Sequence, residues 1–271
     1  MASDDYELSV FVNCPFDRKY KSTLFPAILF TIYDCGLKAR SALEADTATS
    51  GRLEKIFAIV KSSKYGIHDI SRTGLDRETR LPRFNMPFEL GIFLAAQKYG
   101  AGRQKEKICL ILDKEGYRYH KFISDIKGLD ISAHSNKIDS AIRRVRDWLN
   151  DDKPQGVMLP GHIRISNRYE TFRRQLPRAA KKAGLDPTDL RFNDIANFVS
   201  KWIELNPKDC TSRLRPSRRD ACEHLRRPCA EHHWRGALYP TNLLHLRQTC
   251  RIFETGPSRS RAFRARAGAG R

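Results

Sequence analysis

Between residues 6 and 150, apolar side chains fall into two alternating kinds of run. Short runs of β-branched and aromatic residues predict buried strands, and longer runs with apolar residues at i, i+3, i+4 and i+7 predict helices. Residues 6–13 form the first strand, broken as a turn by Cys14, Pro15, Phe16 and Asp17. Tyr20, Leu24, Phe25, Ile28, Leu29 and Ile32 then share one helical face from Arg18 onward, and Gly36 stops the helix. Residues 37–43 are a weaker strand, and 44–49 a polar loop. Thr49 or Ser50 caps a helix whose face is Leu53, Ile56, Phe57 and Val60. Residues 65–70 are the third strand, followed by a long polar and charged loop over 71–83. A helix starts near Asn85 as N-cap, with Pro87 in its first turn. Its expected buried stripe is Phe88, Gly91, Ile92 and Ala95, with Gly91 allowing close approach to the sheet and the first-turn acid Glu89 lying off the stripe. Residues 107–112 make a fourth strand, 117–129 a short helix, 130–133 a short edge strand, and 136–150 a helix burying Ile138, Ala141, Ile142, Val145 and Leu149.

Strand and helix alternate throughout, which predicts an α/β domain over 1–150 with a parallel sheet covered on both faces and right-handed crossovers. Residues 151–161 read as a Pro/Gly linker. Two amphipathic stretches follow, 169–183, interrupted at Pro177, and 194–205 with Ile195, Phe198, Val199 and Trp202 on one face. They form a small helical appendage within 151–207. From 208 to 271 the pattern is lost.

Charge sharpens that last boundary. The chain of 271 residues carries a formal +19, a nucleic-acid signature if evenly spread. Residues 210–271 hold 14 Arg, no Lys and 4 acidic residues, so this tail alone carries +10. It also holds Cys210, Cys222, Cys229 and Cys250, but no C-x-x-C pair, so no metal site is expected there. Arg without Lys fits out-of-frame translation of a GC-rich region, and the tail lacks the aromatic interleaving of binding modules. The competing reading is a basic nucleic-acid or partner-binding arm. Cys14, Cys35 and Cys109 read as reduced thiols. A hydrophobic fraction of 40% argues against global disorder. The acidic start shows no leader pattern, and the apolar run 24–33 is too short to span a bilayer, so a cytoplasmic protein without membrane contact is expected.

In an open parallel sheet, ligands bind beyond the carboxyl ends of the strands where strand order reverses. Four segments should meet there: 13–17, 43–47, 69–72 and 85–89. They offer the carboxylates Asp17, Glu44, Asp46, Asp69 and Glu89, the aromatic Phe16, and the cations Arg18 and Arg72. Asn13, Ser71 and Asn85 add neutral polar groups. A helix N-terminus flanked by Arg18 and Lys19 is a candidate phosphate site.

A strand ending in Asp69-Ile70-Ser71, then Asn85 followed by Pro87, Phe88, Glu89, Leu90 and Gly91, resembles the pattern shared by TIR-like and nucleoside 2-deoxyribosyltransferase-like domains. The opening run from Phe11 to Asp17 is similar to the first strand and loop of the same group. The resemblance covers roughly 6–150 and implies a flavodoxin-like sheet of about five strands in the order 2-1-3-4-5. It implies that Glu89 matches the active-site glutamate and that Asp69 and Asn85 lie beside the sugar. It also implies a nucleoside, NAD or related nucleotide as substrate, self-association in many relatives, no separate cofactor, and, in bacterial relatives, roles in phage defence. The chain departs from the pattern in three places, one being the loop 72–83, which is longer and more basic than a simple transferase needs. Asn13-Cys14-Pro15 stands where transferases have a small residue, Gly and Pro, and the Trp near the glutamate of TIR domains is absent, with Met86 and Phe88 in its neighbourhood.

A glutamate suits this chemistry on physical grounds. Breaking a sugar–base N-glycosidic bond builds positive charge on C1′ and the ring oxygen. A fixed carboxylate stabilises that cation, holds ribose hydroxyls or attacks C1′. Nicotinamide leaves NAD as a neutral molecule and needs no general acid, whereas an ordinary nucleoside needs a proton donor, for which Asp69, Asp17 and His68 are candidates. Against these roles stand plainer ones. Glu89 would favour a helix dipole, Asp69 would tether the next loop, His68 would be a core histidine, and Cys14 lacks a basic partner. Arg72, Arg77, Arg80 and Arg83 are either a solvated loop face or phosphate ligands. Two further functions stay open: a non-catalytic nucleotide sensor using the same cleft, and a nucleic-acid-binding protein acting through the tail.

Overall fold

The computed structural model of the chain describes residues 5–44, 51–75, 80–129 and 131–208. The alternative readings of the tail, and the roles expected of Asp46 and Arg77, fall outside these residues, whereas the helix that begins at Arg52 has Gly51 at its N-cap in place of Thr49 or Ser50. Among the described residues, β1 (Ser9–Asn13), β2 (Lys38–Arg40), β3 (Tyr65–Asp69), β4 (Ile108–Asp113) and β5 (Ile131–Ala133) form one sheet. Its order is β2-β1-β3-β4-β5 and every pairing is parallel. This is a doubly wound, flavodoxin-like topology, with the order reversing between β1 and β3.

The helices are α1 (Asp5–Leu8), α2 (Arg18–Ser22), α3 (Leu24–Asp34), α4 (Arg52–Lys61), α5 (Asn85–Tyr99), α6 (Ile138–Asp151), α7 (His162–Lys182) and α8 (Phe192–Leu205). Alternation along the strands divides the core. Val10, Val12, Ile67, Leu110 and Leu112 face α3 and α6, and that same apolar cluster continues into α7 and α8 through Ile165, Tyr169, Phe172, Phe198 and Trp202. Phe11 faces the other way, onto Ile56, Ile59 and Val60 of α4 and Phe93 of α5.

Several elements differ from the sequence expectation. Residues 5–8 form a helical turn ahead of a shorter β1. The helix expected from Arg18 to Gly36 is two helices. Thr23 leaves helical geometry (φ −125°, ψ −82°), its N–H closes α2 on Tyr20 O at 3.1 Å, and its Oγ1 donates to Lys19 O at 2.6 Å. Pro26 explains the break: within a continuous helix it would lack an interior N–H, whereas in the first turn of α3 that N–H has no partner to lose. Gly36 does end α3, with φ +85°. Residues 117–129 form two 3-10 turns, Arg118–Lys121 and Ser124–Ile126, in place of a helix. Pro177 does not interrupt α7, which runs through it and begins seven residues earlier than expected, at His162. Buried residues on both sides of the proline, Tyr169 and Phe172 before, Ala179 and Ala180 after, hold the helix against the core. On α4, Ile56, Ile59 and Val60 are buried, while Leu53 and Phe57 lie on the exposed side.

The largest correction concerns α5. Its buried residues are Met86, Glu89, Leu90 and Phe93, so the inward stripe is rotated from the expected one, and Phe88 and Gly91 are exposed. Phe84 takes the N-cap position, Asn85 is the first helical residue, and Glu89 opens the second turn. Close approach of α5 to the sheet is provided by Gly66 of β3. A Cβ there would lie 2.7 Å from the Phe93 ring and 2.8 Å from His68 Nε2. Gly91 faces open space.

Candidate functional site

At the carboxyl ends of β1 and β3, a cleft of about 200 Å³ is lined by Asn13, Phe16, Arg52, Arg83, Asn85, Met86 and Glu89. It occupies the side of the sheet and the strand-order reversal where an open α/β fold places its ligands. Each wall has a local cause. Asn13 ends β1, Phe16 lies in the turn before α2, Arg52 is the first residue of α4, and Arg83, Asn85, Met86 and Glu89 come from the entry and first turns of α5.

Glu89 is the one acid among these lining residues. It is 5% exposed and sits at i+3 of the stripe Met86, Glu89, Leu90, Phe93, a position that packing alone would fill with an apolar side chain. Burial pushes its carboxyl up to about 7, opposed by the Arg52 guanidinium. Arg52 Nη2 lies 3.8 Å from Glu89 Oε1, and the carboxyl accepts no hydrogen bond among the described residues. A carboxylate held in an apolar stripe without hydrogen bonds costs stability, and such placements concentrate at functional sites.

Beneath it lies a network that fixes Asn13. Asn13 Nδ2 donates to Met86 O at 2.9 Å and to His68 Nδ1 at 3.0 Å. The Asn13 side-chain oxygen takes no donor among the described residues and is the group left for a ligand. His68 is fully buried between the edges of Phe11 and Phe93, and burial lowers its pKa to about 3. Its imidazole is therefore neutral near pH 7, with Nδ1 as acceptor and the proton on Nε2. That histidine is a prop for Asn13 and lies outside the cleft.

Asp69 is also sealed, at 0% exposure. Its Oδ1 accepts the Ser71 N–H at 2.8 Å, fixing the turn after β3. Its Oδ2 accepts the Tyr20 hydroxyl, and His134 Nε2 lies 3.0 Å away. The Asn136 N–H donates to His134 Nδ1 at 3.0 Å, which leaves the imidazole proton to Nε2, close to Asp69 but not in hydrogen-bond alignment with it. Tyr20 and Cys14 are both raised well above their ordinary values by burial first and by Asp69 next, so both stay protonated.

The remaining candidates are spread around the cleft. Phe16 and Asn85 line it. Asp17 caps α2, accepting the Tyr20 N–H at 3.1 Å, and its Oδ2 lies 3.3 Å from Arg72 Nε. Arg18 is exposed on α2 and borders a different cavity, between α2–α3 and α7–α8. Glu44 is committed to Arg40 Nε, at 2.8 and 2.9 Å, and to the Ser41 N–H. Ser71 is buried and its Oγ has no partner among the described residues. Sequence reasoning missed Arg52 as a site residue and overlooked His134 altogether. For Arg52 the usable signal was topological, because helices following parallel strands begin on the ligand side of the sheet.

Among the described residues, no group of three or more His, Cys, Asp and Glu is placed to hold a metal ion, and no helix is long and apolar enough to cross a membrane. No family model matches the chain, and a search of curated proteins found no relative.

Proposed function

We propose that this protein is a nucleotide-processing domain of the TIR-like and deoxyribosyltransferase-like kind, acting at a ribosyl N-glycosidic bond with Glu89 as the working carboxylate. The observation that carries this is a nearly buried carboxyl in an apolar helix stripe, opening onto the ligand-side cleft between β1 and β3. Ionised Glu89 stabilises the positive charge that builds on C1′, and its low-dielectric surroundings strengthen that interaction. Arg52 and Arg83 supply cations suited to phosphate oxygens, Asn13 and Asn85 polar groups suited to ribose hydroxyls, and Phe16 an aromatic wall.

The positions of the other acids among the described residues favour one kind of substrate. Asp69 and His68 are sealed and engaged, and Asp17 is held by α2 and Arg72, so none stands beside Glu89 as a separate proton donor. A base that leaves without being protonated, as nicotinamide leaves NAD, suits such a site better than a base that needs an acid.

The test is unbiased. A small-molecule cell extract is incubated with concentrated wild-type protein and with Glu89→Gln, and the metabolites that disappear are followed by mass spectrometry. A nucleotide consumed by wild type and spared by the variant supports the proposal. A nucleotide that binds both proteins without turnover points instead to a sensor, and no nucleotide-dependent change in either protein overturns both.

A further inference from the structure

A second cavity, of about 720 Å³, lies between the α2–α3 pair and the α7–α8 pair. Its size falls in the range of small-molecule sites, whereas the Glu89 cleft is smaller. Its apolar end is built by the buried Pro26 and by Phe172, Leu176, Leu190 and Ile195, which are part of, or packed on, the main core. Its rim carries three cations, Arg18 and Lys21 from α2 and Arg173 from α7, against one acid, Asp189.

These cations differ in their commitments. Arg173 Nη2 pairs with Glu170 at 3.2 Å. Arg18 and Lys21 have no carboxylate within ion-pair distance among the described residues, although they lie one turn apart on the same short helix. Tyr169, 1% exposed, also lines the cavity, and its hydroxyl reaches a partner only at 3.4 Å, the Thr23 carbonyl. A buried hydroxyl so loosely satisfied is a hydrogen-bonding position open to a ligand. Phe16 forms a wall of this cavity and of the Glu89 cleft alike.

We propose that this cavity is a binding site for a small amphipathic anion: an apolar or aromatic body held against Leu176, Leu190 and Ile195, with a phosphate, sulfonate or carboxylate head on Arg18 and Lys21. Walls contributed by four helices form a concavity of a size suited to a free small molecule. The site is separate from Glu89 and does not depend on its chemistry.

The probe pair that tests this is 8-anilinonaphthalene-1-sulfonate and the neutral N-phenyl-1-naphthylamine, which share an aromatic body and differ in the anionic head. Each is titrated by fluorescence into the full chain, into Arg18→Ala/Lys21→Ala, into Leu176→Trp and into Glu89→Gln. The double alanine variant is expected to bind the sulfonate about tenfold more weakly and the neutral probe within about twofold of wild type, because only the charge-assisted contacts are lost. Leu176→Trp, which fills the apolar end, should lose both probes, and Glu89→Gln should lose neither. Sulfonate binding unchanged in the double variant would overturn the proposal, since binding would then be generic to a chain of formal charge +19. Equal weakening of both probes would overturn it too, by showing that the cations do not select the head group. Because Arg18 is exposed and Lys21 half-buried on the surface, their removal leaves the core intact, and an unchanged unfolding midpoint verifies this.

Discussion

Replacing Glu89 with Gln should make the protein more stable at alkaline pH and leave it nearly unchanged at acid pH. The folded-state pKa of Glu89 is about 7, against an ordinary value of 4.5. Between those values the folded chain holds a proton that the unfolded chain has released. The unfolded state therefore binds fewer protons, and stability falls as pH rises through this window. Above it, the cost of ionising Glu89 in place is fully present. The gap between about 7 and 4.5, at about 1.4 kcal/mol per tenfold, corresponds to about 3 kcal/mol. Local relaxation and water entry reduce that figure, so a gain of roughly 1–3 kcal/mol is expected for Glu89→Gln at about pH 8 and less than about 0.5 kcal/mol at about pH 4.5. Urea unfolding of both proteins at the two pH values measures it, and other carboxyls cancel in the comparison. A variant no more stable than wild type at the higher pH, or equally stabilised at both, would show that Glu89 is well solvated and that the cleft does not set its ionisation.

Three further outcomes follow from the same contacts. Arg52 lowers the Glu89 pKa, so Arg52→Ala should move the rising limb of the base-release pH profile from about 7 to higher pH, cutting activity near neutrality and restoring much of it above about pH 8; an unmoved limb would separate Arg52 from the carboxyl. Gly66→Ala should destabilise by about 2–3 kcal/mol in chemical denaturation, because the added methyl meets the Phe93 ring and His68 Nε2 inside van der Waals distance; a neutral result would mean that α5 moves away from the sheet freely. Tyr20→Phe removes a hydroxyl from buried Asp69 and should cost on the order of 1–3 kcal/mol in the same assay, with no loss exceeding that seen for folding in nucleotide binding.

The sheet was legible in the chain because buried parallel strands leave short apolar runs, and the runs at β1, β3 and β4 stand clear of their polar flanks. The face of α5 was not, because both sides of that helix carry apolar residues: Phe88 and Ile92 on one, Met86, Leu90 and Phe93 on the other. Spacing alone could not choose between them, and the choice decides whether Glu89 is solvated or buried. Asn13, Phe16, Asn85 and Glu89 were brought to one cleft as the topology required. The partner of Asp69 was out of reach for a different reason. His134 follows β5, and only the pairing of β4 with both β3 and β5 carries it toward the end of β3. The break at Thr23 is favoured by Pro26 but not dictated by it, since α7 continues through Pro177 where packing on both sides holds it.

The proposed function has the ionised Glu89 side chain act on a ribosyl carbon in this cleft. It is tested most directly by incubating NAD with wild-type protein and with Glu89→Gln at high protein concentration and about pH 8, where the carboxyl is ionised, and following released nicotinamide by chromatography. Release by wild type, reduced at least about a hundredfold in the variant, is the predicted result. Equal release by the two proteins, or none from wild type while its nucleotide pool stays intact, would contradict it.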